Sequence, residues 1–160
     1  MNHDPAAPSI WTRVWIPIGA GLFVVALAVS ALVTPQLRLL HLLQALIYVA
    51  VVILARRSSA LGLGAGFTMA VAWNGLNLFV THLMQAGAVA FWSLLRTGQV
   101  RRIDTMMVAL GGIGHFILIV ACLAALLDRR MVGPKWRNFV LGGVATLTYF
   151  FLIVVIARPR

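Results

Sequence analysis

Residues 62–92 read GLGAGFTMAVAWNGLNLFVTHLMQAGAVAFW, and this apolar run differs from the others because amides, a histidine and several glycines interrupt it. Small and polar residues recur in it at steps of three or four, which places them on one face of a helix. Small residues let a second helix approach closely, and polar residues can hydrogen-bond across the contact. We therefore expect this face to turn inward, as a packing surface or as the lining of a ligand site. The face consists of Gly62, Gly66, Ala70, Asn74, Asn77, Thr81 and Gln85.

The composition of the whole chain extends this interpretation to a membrane. The 160 residues are 62% hydrophobic and only 10% charged, whereas soluble domains carry about 25% charged residues. The sequence therefore predicts an all-α, polytopic helical integral membrane bundle, with residues 1–160 forming a single transmembrane domain. The net charge is +10, but the basic residues lie at the ends of apolar runs. We expect them to meet anionic lipid headgroups rather than nucleic acid.

Five apolar runs are long enough to cross about 30 Å of hydrocarbon. The predicted spans are 14–33, 39–55, 61–83, 105–127 and 138–157. An interfacial helix at 86–96 is one interpretation of the stretch after the third span, and a long tilted helix is another. Asn74-Gly75 favours a turn, so residues 62–95 could instead enter and leave on one side, giving four spans plus a re-entrant or interfacial segment. Basic residues divide almost evenly between the two sides, so they do not orient the chain.

Ionisable side chains inside spans are candidate functional residues because burying them in lipid is costly. The sequence offers His41, His82 and His115. His41 and His82 are expected near the same membrane surface on neighbouring helices, where they could ligate haem b. His115 could be the single axial ligand of a haem or chlorin, or it could hydrogen-bond to a tyrosine or an amide. A quinone-type ligand is a further alternative for these histidines.

No carboxylate is expected at mid-membrane depth, which argues against carboxylate-based acid–base catalysis. Asp104 is expected to cap the fourth span, and Cys122 to behave as a small buried hydrophobic residue. Ligand-lining or pore-lining candidates are polar residues of the second and third spans. These are Gln44, Tyr48, Asn74, Asn77, Thr81 and Gln85.

Three hypotheses of function follow from these patterns. The first is a small non-catalytic membrane subunit or binding component, which acts in a homo-oligomer or a larger membrane complex. The second is a haem b electron carrier that uses His41 and His82. The third is a small transporter or channel lined by Asn74, Asn77, Gln44 and His115. For all three we expect a plasma membrane or a bacterial inner membrane.

Overall fold

The computed structural model describes residues 9–99, 102–128 and 134–157, and no strand occurs among them. A π-helical turn, Trp11–Trp15, leads into the first α-helix, and a short 3-10 helix, Pro35–Leu37, leads into the second. A second π-helical segment, Leu76–Val80, extends the third α-helix. The α-helices are α1 (Ile16–Val33), α2 (Arg38–Arg56), α3 (Ala60–Gly75), α4 (Leu83–Thr97), α5 (Ile103–Leu127) and α6 (Lys135–Ile156). The prediction of an all-α helical bundle is confirmed.

Five of the described helical segments are long and apolar enough to cross a membrane, which indicates a multi-pass membrane protein. Each corresponds to one predicted span. They are Trp11–Val33, Pro35–Arg56, Ala60–Val80, Ile103–Leu127 and Lys135–Ile156. Five basic residues, Arg101, Arg129, Arg130, Arg158 and Arg160, lie outside the described part, so the even split of charge between the two sides stays a prediction.

The third span does not turn at Asn74-Gly75, so the re-entrant alternative is wrong. Gly75 has helical backbone angles, φ −60° and ψ −47°, and the chain continues into the π-helical segment. The side-chain amide of Asn77 donates to the carbonyl of Trp73 at 2.9 Å, which satisfies a backbone group where the helix widens. The helix ends at His82, whose φ of 56° lies in the left-handed region.

Helix α4 is separate from α3, so the alternative of one long tilted helix is also wrong. Its 15 residues cover about 22 Å at 1.5 Å per residue, too short to cross the hydrocarbon. The predicted interfacial segment 86–96 lies within it. Gly87 is its only buried residue and faces the backbone of α5 at Thr105 and Ala109. Trp92 is exposed, and the guanidinium of Arg96 lies 4.9 Å from its ring centroid.

Glycines bring the spans into close contact. A Cβ on Gly19 of α1 would lie 2.7 Å from the carbonyl oxygen of Gly114 of α5. Gly64 of α3 lies against the backbone of α6 at Phe139, and Gly142 of α6 lies against the backbone of α3 at Leu61. These contacts agree with the predicted use of small residues for helix packing.

The polar face predicted on the third span turns inward only as far as the end of the helix. Its members from Gly62 to Asn77 are buried, whereas Thr81 and Gln85 are exposed because the chain turns at His82. The expectation that Thr81 and Gln85 also face inward is therefore wrong. Cys122 is fully buried, as expected.

The core brings together buried residues of α1, α2, α3 and α5, and residues of α6 pack against it. Successive spans alternate in direction. As a result, α1, α3 and α6 end at the face of the bundle where α2 and α5 begin. This arrangement gathers residues from all five spans at the end opposite the amino terminus.

Candidate functional site

A cavity of about 270 Å³ opens at this end of the bundle, between α1, α2, the π-helical segment, α5 and α6. Most of its lining is apolar and aromatic, including Phe23, Trp73 and Phe150. We call it the polar cavity because each of four segments also contributes polar side chains to it. These are Ser30, His41, Gln44, Asn77 and Asp104.

The polar residues of α2 lie in three different environments. His41 and Gln44, three residues apart and therefore on one face, line the polar cavity. Arg38, one turn earlier, turns back to donate from Nε to the carbonyl of Ala31 at 3.0 Å. Tyr48, one turn later, is fully buried in the core. His41 is only 9% exposed, and its Nδ1 is buried without a hydrogen-bond partner in the described part of the chain.

Asn77 is held in the cavity wall by the π-helical segment. Its amide donates to the carbonyl of Trp73, and its Oδ1 accepts from the hydroxyl of Thr81 at 3.1 Å. Gln85 donates to the carbonyl of Leu78 at 2.8 Å and lies 3.3 Å from Nδ1 of His82. Thr81, His82 and Gln85 therefore stabilise the turn between α3 and α4, and none of them lines the polar cavity.

Asp104 lies in the cavity wall, whereas we expected it to cap the fourth span. The cap of α5 is Arg102 rather than Asp104, so the carboxylate lies within the first helical turn. It accepts from Arg102 at 2.7 Å, and this hydrogen bond and charge raise the pKa of Arg102. A carboxylate in the first turn is also favoured by the helix dipole. Nothing in the sequence distinguishes such a residue from an ordinary helix-end charge.

Ser30 and Trp73 were also missed as cavity residues. Both lie in apolar runs at positions without a distinctive pattern. A serine can bond to its own helix, and a tryptophan is common in membrane helices, so only their spatial neighbours reveal their place in the cavity wall.

An aromatic cluster closes the inner side of the polar cavity. Phe23 and Trp73 line the cavity, and both rings also contact His115, at centroid distances of 3.9 Å and 4.8 Å. His115 is 0% exposed, and its Nε2 lies 2.6 Å from the hydroxyl of Tyr48. This agrees with the alternative in which His115 bonds to a tyrosine. Its Nδ1 is buried without a partner in the described part of the chain.

The pore-lining candidates are only partly brought together. Gln44 and Asn77 line the polar cavity, whereas Tyr48 and His115 lie in the core beyond Phe23 and Trp73. Asn74 is buried, neither end of its amide has a partner among the described residues, and it does not line the cavity. Among the described residues, the polar cavity therefore reaches Phe23 and Trp73 but is not lined by Tyr48, Asn74 or His115.

A tetrapyrrole does not fit the three histidines in this arrangement. His41 lines the polar cavity, but the exposed His82 does not, so the two rings do not face a common space. A cavity of about 150 Å³ accommodates benzene, so 270 Å³ gives room for one substituted ring and not for four linked pyrroles. Nε2 of His115 is hydrogen-bonded to the hydroxyl of Tyr48, and the ring of Phe23 stacks on the imidazole, so neither leaves room for a tetrapyrrole.

The arrangement has the features of a small-molecule site, namely an apolar concavity with a few polar groups. Within residues 9–99, 102–128 and 134–157, no three His, Cys, Asp or Glu side chains are grouped as metal ligands. Comparison with models of protein families, with curated proteins and with solved structures found no match to this chain.

Proposed function

We propose that this protein is a non-catalytic, multi-pass component of a plasma membrane or bacterial inner membrane that binds a small lipophilic ligand in the polar cavity. This function develops the first of the three hypotheses drawn from the sequence. Small-residue contacts between spans make the bundle a rigid support for the cavity, which favours a binding role. The basic residues at the helix ends suit anionic lipid headgroups, and the exposed apolar surface of α6 suits lipid or a partner in a membrane complex.

The observation that carries the proposal is the position of the His41 ring. Its ring lines a cavity with apolar walls, and its Nδ1 is buried without a partner among the described residues. An unpaired buried polar group costs about 1–3 kcal/mol. Rotation of the imidazole toward a ligand in the cavity would let Nδ1 form a hydrogen bond and would offset this cost. Gln44 and Asn77 place two amides in the same walls and extend the capacity for polar recognition.

The haem and transporter hypotheses have less support. The histidines do not share a space of tetrapyrrole size, and the aromatic cluster of Phe23, Trp73 and His115 closes the inner side of the cavity. A site closed at one end supports binding from one membrane surface or from the adjoining lipid. It gives no support to passage through the bundle.

The test is recovery of the ligand with the full-length protein. The protein is extracted with its surrounding lipid in polymer-bounded discs, and the organic extract is analysed by mass spectrometry. Ala26→Phe fills the cavity, because Ala26 is buried and lines it. Val25→Phe is the matched control, because Val25 is the neighbouring residue on α1 and is 52% exposed. Gln44→Leu removes a polar group without adding a ring.

We expect one lipophilic species to be enriched with wild type and Val25→Phe. It should be depleted with Ala26→Phe and Gln44→Leu. Size-exclusion chromatography checks that each variant is folded, and Gln44→Leu decides the test if Ala26→Phe does not fold. Identical extracts from wild type and from every folded cavity variant would contradict a binding role for the cavity.

A further inference from the structure

Three of the polar residues of the cavity lie on two facing walls, and Ser30 of α1 and Asn77 of the π-helical segment lie on the walls between them. His41 and Gln44 belong to α2, and Asp104 belongs to α5. α1 and α3 each contact both α2 and α5, so these two helices lie on opposite sides of the space between them. A ligand that satisfies both walls needs polar groups at two opposite ends. Fatty acids and sterols carry a polar group at one end only.

The walls between these two ends carry three aromatic rings. Phe23 and Trp73 close the inner side, and Phe150 contributes a third aromatic ring. Aromatic rings favour stacked or edge contacts with another ring. The volume of about 270 Å³ accommodates a single substituted ring, given that about 150 Å³ suffices for benzene. The ligand portion inside the cavity is therefore one ring with polar groups across it.

The rim of the cavity is apolar and open to the surroundings. Leu76, Leu83 and Val154 line it and are between 41% and 44% exposed. Leu83 begins α4, and Val154 lies in the last turns of α6. Surfaces of this kind adjoin acyl chains when the bundle lies in a bilayer. An apolar tail attached to the ring can therefore leave the cavity between these residues.

We infer that the polar cavity binds the head group of a lipid-soluble quinone or quinol, with one oxygen of the ring facing His41 and Gln44 and the opposite oxygen facing Asp104. The apolar tail passes the rim at Leu76 and Leu83. A carboxylate accepts a hydrogen bond from a quinol hydroxyl, and imidazole and amide groups can donate to a quinone carbonyl. This inference rests on the proposed function and names the chemical class of its ligand.

The experiment uses fluorescence of Trp73, the tryptophan that lines the cavity. In the test protein the other four tryptophans, Trp11, Trp15, Trp92 and Trp136, are replaced by phenylalanine. Ubiquinone-1 is titrated into the full-length protein in lipid discs, and its reduced form is titrated separately. We expect saturable quenching by both forms, and a Kd for the reduced form, whose hydroxyl can donate to Asp104, at least about tenfold lower than that of 4-pentylphenol, which carries a single hydroxyl. Thermal stabilisation of the wild-type protein by ubiquinone-1 provides a second readout if the test protein does not fold.

Two histidine variants provide a matched comparison. His41→Asn should weaken ubiquinone-1 binding about five- to tenfold, which corresponds to the loss of one hydrogen bond. His82→Asn should change it less than about twofold, because His82 lies outside the cavity and asparagine tolerates the left-handed backbone found there.

The outcomes separate this inference from the proposed function. Equal affinity for the reduced form of ubiquinone-1 and for 4-pentylphenol would overturn recognition at two ends. Absence of saturable quenching and stabilisation, together with a cavity-dependent species in the mass spectra, would reject the quinone class and keep the binding function. If neither ubiquinone-1 nor any extracted species depends on the cavity, both are wrong.

Discussion

Replacement of Gly64 by alanine tests the helix contact that holds α6 to the rest of the bundle. The three atoms nearest to a Cβ at this position are the carbonyl oxygen, the carbonyl carbon and the Cα of Phe139. All three belong to the backbone of α6, so no side-chain rotation can relieve the overlap. The two helices must separate, and the contact between Leu61 and Gly142 must open with them.

The expected destabilisation follows from two opposing effects. Overpacking a well-packed contact costs about 1–3 kcal/mol. The cost of Gly64→Ala should lie near the upper end of this range, because the added Cβ meets backbone atoms that cannot rotate away. Alanine also improves helix propensity over glycine by about 1 kcal/mol. We therefore expect Gly64→Ala to lower the free energy of unfolding by about 2 kcal/mol.

Gly75→Ala is the matched control on the same helix. A Cβ at Gly75 meets no atom within 4 Å, and its backbone angles are helical. This variant should be neutral or more stable by up to about 1 kcal/mol. Reversible unfolding in mixed micelles with increasing dodecyl sulfate, followed by circular dichroism, measures both variants. If Gly64→Ala proves as stable as Gly75→Ala, the close α3–α6 contact is wrong.

Two further perturbations test the core and α4. Tyr48→Phe keeps the ring but removes the hydroxyl that is hydrogen-bonded to Nε2 of His115, so the free energy of unfolding should fall by about 1–2 kcal/mol. An unchanged value would exclude that hydrogen bond. In a variant with Trp92 as its sole tryptophan, lipids brominated near the headgroup should quench fluorescence more than lipids brominated near the chain ends. The reverse order would contradict an interfacial position for α4.

Much of the fold could be predicted because membrane spans are local features. Each span satisfies its own backbone groups within about 20 apolar residues, so length and hydropathy indicate it without knowledge of its neighbours. The inward positions of Asn74 and Asn77 followed from their spacing with Gly66 and Ala70. The predicted end of the third span, residue 83, lies next to the turn at His82, but the left-handed backbone of His82 did not follow from the pattern.

The candidate site depended on contacts between distant parts of the chain. Tyr48 and His115 are 67 residues apart in sequence and form one hydrogen-bonded pair, which closes His115 to a cofactor. Asp104 resembles an ordinary helix-end charge until α1, α2 and α6 are placed around it.

The sequence by itself therefore determined which apolar runs are long enough to span a membrane and which face of α3 turns inward, because both depend on local spacing and hydropathy. Only the tertiary structure decided which polar groups share a cavity and which are enclosed in the core. That division depends on how closely the glycine contacts bring particular helices together, which is a property of pairs of helices and not of one segment.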